Sequence, residues 1–190
     1  MRRFHQGLLI FSFVAFSWLA MMAVHELGHV VGAALTGATV DRVVLHPLAI
    51  SRTDVSNNQH PLVVLWAGPA FGALLPLAAL GLSTLVKLPG KYLVRFFAGF
   101  CLVANGAYIG YGSIEGIGDA GEMLRHGSRN WELWVFGAAT LLLGFVVWNR
   151  LGSDFGLGPA NGNVNRPAAY LSATMLALTV LAELCFSSTR

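Results

Sequence analysis

The sequence predicts an all-α, multi-pass membrane protein with about five spanning helices and a short β-hairpin after the first. Three observations carry this prediction. Hydrophobic residues make up 55% of the chain and charged residues 11%, whereas a soluble domain carries about 25% charge. Five apolar stretches each approach the ~20 residues that a helix needs to cross ~30 Å of hydrocarbon. Backbone inside hydrocarbon must satisfy its own hydrogen bonds, which makes such stretches helices. The same composition excludes disorder, which requires low hydrophobicity and high charge. Five spans leave no room for a separate soluble domain, so residues 1–190 read as a single membrane domain.

The first stretch runs from Leu8 to about Leu35, broken by the polar cluster at 25–29. Met1-Arg2-Arg3 before it imitates a signal peptide, but the apolar run is too long for one, so an uncleaved span is expected. Residues 40–53 are β-branched and partly alternating, with Pro47 in the middle, and predict a short hairpin or edge strand. The second span is Pro61–Val86. Its Pro69 and Pro76 each remove a helix N–H and disturb the carbonyl four residues earlier, which predicts a bend. The third span is Leu93–Gly112, followed by a loop to Asn130. The fourth is Trp131–Trp148, whose Trp131, Trp134 and Trp148 read as an aromatic belt. A loop rich in Gly, Asn and Pro leads from Arg150 to Arg166 into the last span, Pro167–Phe186. Gly68/Gly72 and Gly106/Gly110 have the spacing of close helix packing. Cys101 and Cys185 lie in apolar runs and read as small fillers. The net charge is +3. With no basic cluster behind it, a nucleic-acid partner is not expected.

The chemistry concentrates in His25-Glu26-Leu27-Gly28-His29. Residues four apart share one helix face, so both imidazoles can bind one Zn²⁺ at about 2.0–2.1 Å. Glu26 beside them is placed to act as general base on water. Ionisable groups cost about 2.5–3.5 kcal/mol each in a membrane span, and a bound metal offsets that cost. A catalytic zinc takes a third protein ligand. At ~1.5 Å per residue His25 lies about 25 Å along its span, near the far end. Two crossings later the chain returns to that side, in the loop after span three. Asp119, in Gly118-Asp119-Ala120-Gly121, is the chosen third ligand. Glu122 and His126 in the same loop, and His46 in the hairpin, are the alternatives. Glu183 near the end of the last span reads as a carboxylate that snorkels to the surface.

A His-Glu-x-x-His motif in a first membrane helix, with an Asp two crossings on, resembles the site-2 protease family of intramembrane zinc metalloproteases. The resemblance covers His25 to about Leu124 and is carried further by Ala67-Gly68-Pro69, Asn105 and Asp119-Ala120-Gly121. The chain departs from the family pattern where Gly72 and Ala73 stand in place of an Asn, and where Ala120 separates Asp119 from Gly121. The resemblance implies a three-helix catalytic core over residues 8–127, two additional helices over 128–190, and no PDZ domain. It implies hydrolysis of peptide bonds in transmembrane protein substrates, one Zn²⁺ per chain, and the hairpin as a strand that holds substrate extended. Asn105 then orients substrate or stabilises an oxyanion; its plain reading is a buried hydrogen bond between helices.

The competing expectation is a non-proteolytic zinc-binding membrane protein, or a degenerate scaffold of the same fold. The expected location is a bacterial cytoplasmic membrane. Arg42, Arg52, Arg125, Arg129 and Arg190 fall on the side of the motif, against Arg2, Arg3, Lys87, Lys91, Arg95, Arg150 and Arg166 on the other. That small bias places the N-terminus in the cytoplasm; the family resemblance implies the reverse, and the latter is preferred.

Overall fold

The computed structural model describes residues 2–188; Met1, Thr189 and Arg190, the last counted above among the cations, lie outside them. The elements are α1 (Arg2–Thr36), β1 (Thr39–Val44), β2 (Arg52–Ser56), α2 (Pro61–Leu85), α3 (Lys91–Glu115), α4 (Gly118–Arg125), α5 (Asn130–Trp148) and α6 (Arg166–Ser188). Short 3₁₀ turns at Gly152–Phe155 and Gly158–Ala160 punctuate the loop before α6. All of these helices except α4 are long and apolar enough to cross a membrane, so the architecture is that of a multi-pass membrane protein. Each predicted span is found, with its ends moved by a few residues.

The helices expose apolar side chains and bury polar ones among an apolar core. On α1, Phe4, Phe11 and Trp18 repeat every seven residues and are more than half exposed, while Ser12, Ser17, His25, Glu26 and His29 are buried. Lipid tails solvate the apolar face, and polar groups must find partners between helices. α1 packs on α2 and α6, and α3 packs on α2 and α5. Ser12 and Ser172 share a 2.6 Å hydrogen bond that ties α1 to α6. One glycine pair packs as expected: a Cβ at Gly106 would meet the Gly137 carbonyl at 2.9 Å, where α3 crosses α5.

Three predictions need correction. The segment after span three is not simply a loop, because Gly118–Arg125 forms α4. Gly116 (φ 67°) and Gly118 (φ 58°) adopt left-handed conformations there. Side chains disfavour that region, so glycine lets the chain reverse sharply. Buried Ala120 and Met123, one helical turn apart, seat α4 against Leu133 and the Trp66 region. Trp148 does not sit in an outward belt with Trp131 and Trp134. Its Nε1 donates to the Phe96 carbonyl at 2.9 Å, and the ring stacks on Phe96. Glu183 does not snorkel: it is 5% exposed, with no hydrogen-bond partner on either oxygen. α2 runs as one helix through Pro69 and Pro76, both buried.

The hairpin is antiparallel, with Thr39 opposite Ser56 and Val44 opposite Arg52, and its register shifts between Val40 and Arg42. Leu48 and Ile50 in its connecting loop are 91% and 88% exposed. Such apolar residues beside membrane helices suit contact with lipid rather than water.

Candidate metal centre

Helical spacing places His25 and His29 on one face of α1, but their ring orientations come from other elements. His25 Nδ1 lies 2.7 Å from Asn105 Oδ1 on α3. The Asn105 Nδ2 donates in turn to the Cys101 carbonyl at 2.8 Å, which fixes the oxygen of the amide toward His25. His29 Nδ1 lies 2.8 Å from the Val64 carbonyl on α2. Both Nδ1 atoms therefore face acceptors and must carry the proton, leaving each Nε2 with its lone pair in the neutral ring.

Those two lone pairs point at a third. His25 Nε2 is 2.8 Å from Asp119 Oδ2, His29 Nε2 is 3.2 Å from the same oxygen, and the two Nε2 atoms are 3.1 Å apart. Three acceptors this close repel unless something positive lies among them. Protonated imidazoles supply that charge at side chains only 8% and 6% exposed. One metal cation held by all three atoms supplies it as well. Tetrahedral zinc with ligands at about 2.0–2.1 Å holds them about 3.3 Å apart, close to the observed spacing. The residues thus fit a metal ion, and among the described residues His25, His29 and Asp119 are the group whose ligand atoms converge.

Asp119 reaches the site because α4 turns back toward α1. Its backbone N–H donates to the Tyr108 hydroxyl at 3.1 Å, and the Tyr108 ring stands edge-on to His25. Without a metal, burial pushes the Asp119 carboxyl up, but His25 and His29 with protonated Nε2 atoms donate to it and attract it, and hold the group well below the usual carboxylate range. The alternative ligands lie elsewhere. Glu122 pairs with Arg125 and lies 4.0 Å from His126, both well exposed. His46 sits in the hairpin loop, its Nδ1 accepting from the Leu48 N–H, close enough to Glu183 to interact electrostatically.

Room for the centre comes from α2. A Cβ at Gly68 would strike the His29 ring and lie 2.9 Å from His25 Nε2; one at Gly72 would lie 2.6 Å from Asn105 Oδ1. The Gly68/Gly72 pair, read from its spacing as helix packing, therefore clears space for the site. A cleft of about 810 Å³ opens beside it between α1, the hairpin loop and α3. His25, Glu26, Ser51, Asn105 and Tyr108 line it, among apolar neighbours such as Met21 and Met22.

Glu26 is 4% exposed. Its Oε1 accepts from the Ser51 hydroxyl and its Oε2 from the Thr53 hydroxyl, both at 2.7 Å. Sequence reasoning missed these two, although Ser51-x-Thr53 has the period that puts both hydroxyls on one face of an extended chain. It also missed Tyr108; the buried hydrogen bond between helices expected of Asn105 is present, with His25 as its partner. One lone pair and one N–H of Asn105 are committed to His25 and Cys101. No family model, curated protein or solved structure matches this chain. The functional reading therefore rests on the residues themselves.

Proposed function

We propose that this chain is an intramembrane zinc metalloprotease of the site-2 protease type, hydrolysing peptide bonds of membrane-embedded protein segments. The observation that carries the reading is the convergence of His25 Nε2, His29 Nε2 and Asp119 Oδ2 within 3.2 Å of one another, beside a cleft that Glu26 also lines. In this reading α1–α3 form the catalytic core, α4 supplies its third ligand, and α5 and α6 support it.

His25, His29 and Asp119 would hold the metal. When bound, Zn²⁺ supplies a Lewis acid and makes water a nucleophile near neutral pH. Glu26 takes a proton from the attacking water and delivers it to the leaving amine. Asn105 and the Val64 carbonyl keep each Nε2 free for the metal, and the apolar cleft keeps bulk water away.

The test compares the purified protein with its Glu26→Gln variant. Zinc content is measured by elemental analysis, and cleavage with a set of single-span peptides carrying a fluorophore and a quencher. The expected result is about one zinc per chain in both, with cleavage only by the wild type. Cleavage of no peptide by zinc-loaded wild type would favour a non-proteolytic zinc protein. Equal cleavage by both forms would remove Glu26 from the mechanism.

A further inference from the structure

Glu26 is a general base that another element of the fold holds still. Its side chain leaves α1 about 100° around the helix from His25 and has three rotatable bonds, which left free cover many orientations. Yet both carboxylate oxygens are engaged at 2.7 Å by hydroxyls from one short stretch of the hairpin, Ser51 just before β2 and Thr53 within it. Between them Arg52 turns away, is exposed, and bonds to Asp54 instead. The strand alternation thus directs two hydroxyls, and no charge, onto the carboxylate.

An ionised carboxylate offers about four lone-pair sites. Two hydroxyl donors leave two of them for a water molecule, so the contact is compatible with proton transfer. Both donors are neutral, and neither adds a charge that would compete with the metal. The loop that carries Ser51 also forms one wall of the cleft.

We propose that Ser51 and Thr53 are positioning residues for Glu26, aiming its carboxylate at the attacking water and thereby linking hydrolysis to the seating of the hairpin on α1. This inference rests on the protease reading above. It adds that the hairpin acts on the base and not only as a wall of the cleft. It also distinguishes an aimed carboxylate from one whose buried charge is merely satisfied, because aiming affects the rate of the chemical step and satisfaction affects folding and metal retention.

The experiment compares wild type, Glu26→Gln, the Ser51→Ala/Thr53→Ala double variant, and the Ser51→Thr/Thr53→Ser double variant, which keeps both hydroxyls. Three readouts are taken: zinc content, kcat and KM on a fluorogenic single-span peptide that the wild type cleaves, and the infrared carboxylate band that Glu26→Gln abolishes. In the double-alanine form zinc content and KM should stay at the wild-type level, while kcat falls roughly 10- to 100-fold, the effect of a misplaced catalytic group. The Glu26 band should shift, and the hydroxyl-conserving form should restore both kcat and band. Wild-type kcat in the double-alanine form, an unmoved band, or loss of zinc together with activity would overturn the inference alone. Failure of the wild type to cleave, or cleavage by Glu26→Gln, would overturn the protease reading and the inference with it.

Discussion

Replacing Asn105 by leucine tests how the centre is built. The side chain is 1% exposed and makes two contacts, accepting from His25 Nδ1 at 2.7 Å and donating to the Cys101 carbonyl at 2.8 Å. Leucine has a similar size and neither polar group. His25 Nδ1–H would then lose its acceptor, and leaving a buried donor unpaired costs about 1–3 kcal/mol. If that cost falls mainly on the metal-competent ring orientation, it corresponds to roughly a 5- to 150-fold loss of affinity at about 1.4 kcal/mol per tenfold. Loss of an outer partner of a metal-binding histidine typically gives about 10- to 100-fold, so the two routes agree. The assay is competition for Zn²⁺ against a chromophoric chelator in detergent micelles. Asn105→Asp, which keeps an acceptor for His25, should stay within about tenfold of wild type. Wild-type affinity in Asn105→Leu would refute the claim that Asn105 sets the His25 tautomer. If that variant also lost kcat while fully loaded with zinc, Asn105 would instead act on substrate, as the family resemblance implies.

Gly68→Ala should abolish zinc binding, because the added methyl would overlap both histidines. Gly110→Ala, whose Cβ would meet only Gly137 Cα at 3.7 Å, should bind zinc as wild type does; chelator competition checks both. Met123→Ala removes a fully buried side chain that seats α4. It should cost about 2–5 kcal/mol of local packing and weaken zinc binding through Asp119, read as a lower melting temperature that excess Zn²⁺ partly restores. Zinc affinity should fall steadily as pH is lowered from about 8 to about 5, since protons compete for both imidazole Nε2 atoms. Asp119, held well below the usual carboxylate range, stays ionised over that interval. Affinity independent of pH would argue against histidine ligation.

What was legible in the sequence was whatever local rules determine. Apolar runs of membrane length predict spans because hydrocarbon demands internally bonded backbone, and the described residues contain five such helices. The helical period alone places His25 and His29 on one face. Asp119 was reachable by counting crossings, which is topology rather than geometry. The reversal that carries it inward depends on α4, and eight residues with one Asp and one Glu gave no membrane-length signal. Glu183 was misread because a terminal acidic residue ordinarily reaches water, and only the packing of α6 buries it.

The arrangement around the two histidines was decided by contacts between residues far apart in the chain. Val64 lies 35 positions from His29, Asn105 lies 80 from His25, and Asp119 lies 94 from His25. Ser51 and Thr53 lie 25 and 27 from Glu26. No periodicity links such pairs. Their partnership exists because four helices and a hairpin bring polar groups into an interior where each must find a partner or carry an uncompensated cost. The sequence by itself determined which side chains could bind a metal; tertiary packing determined which way their lone pairs point.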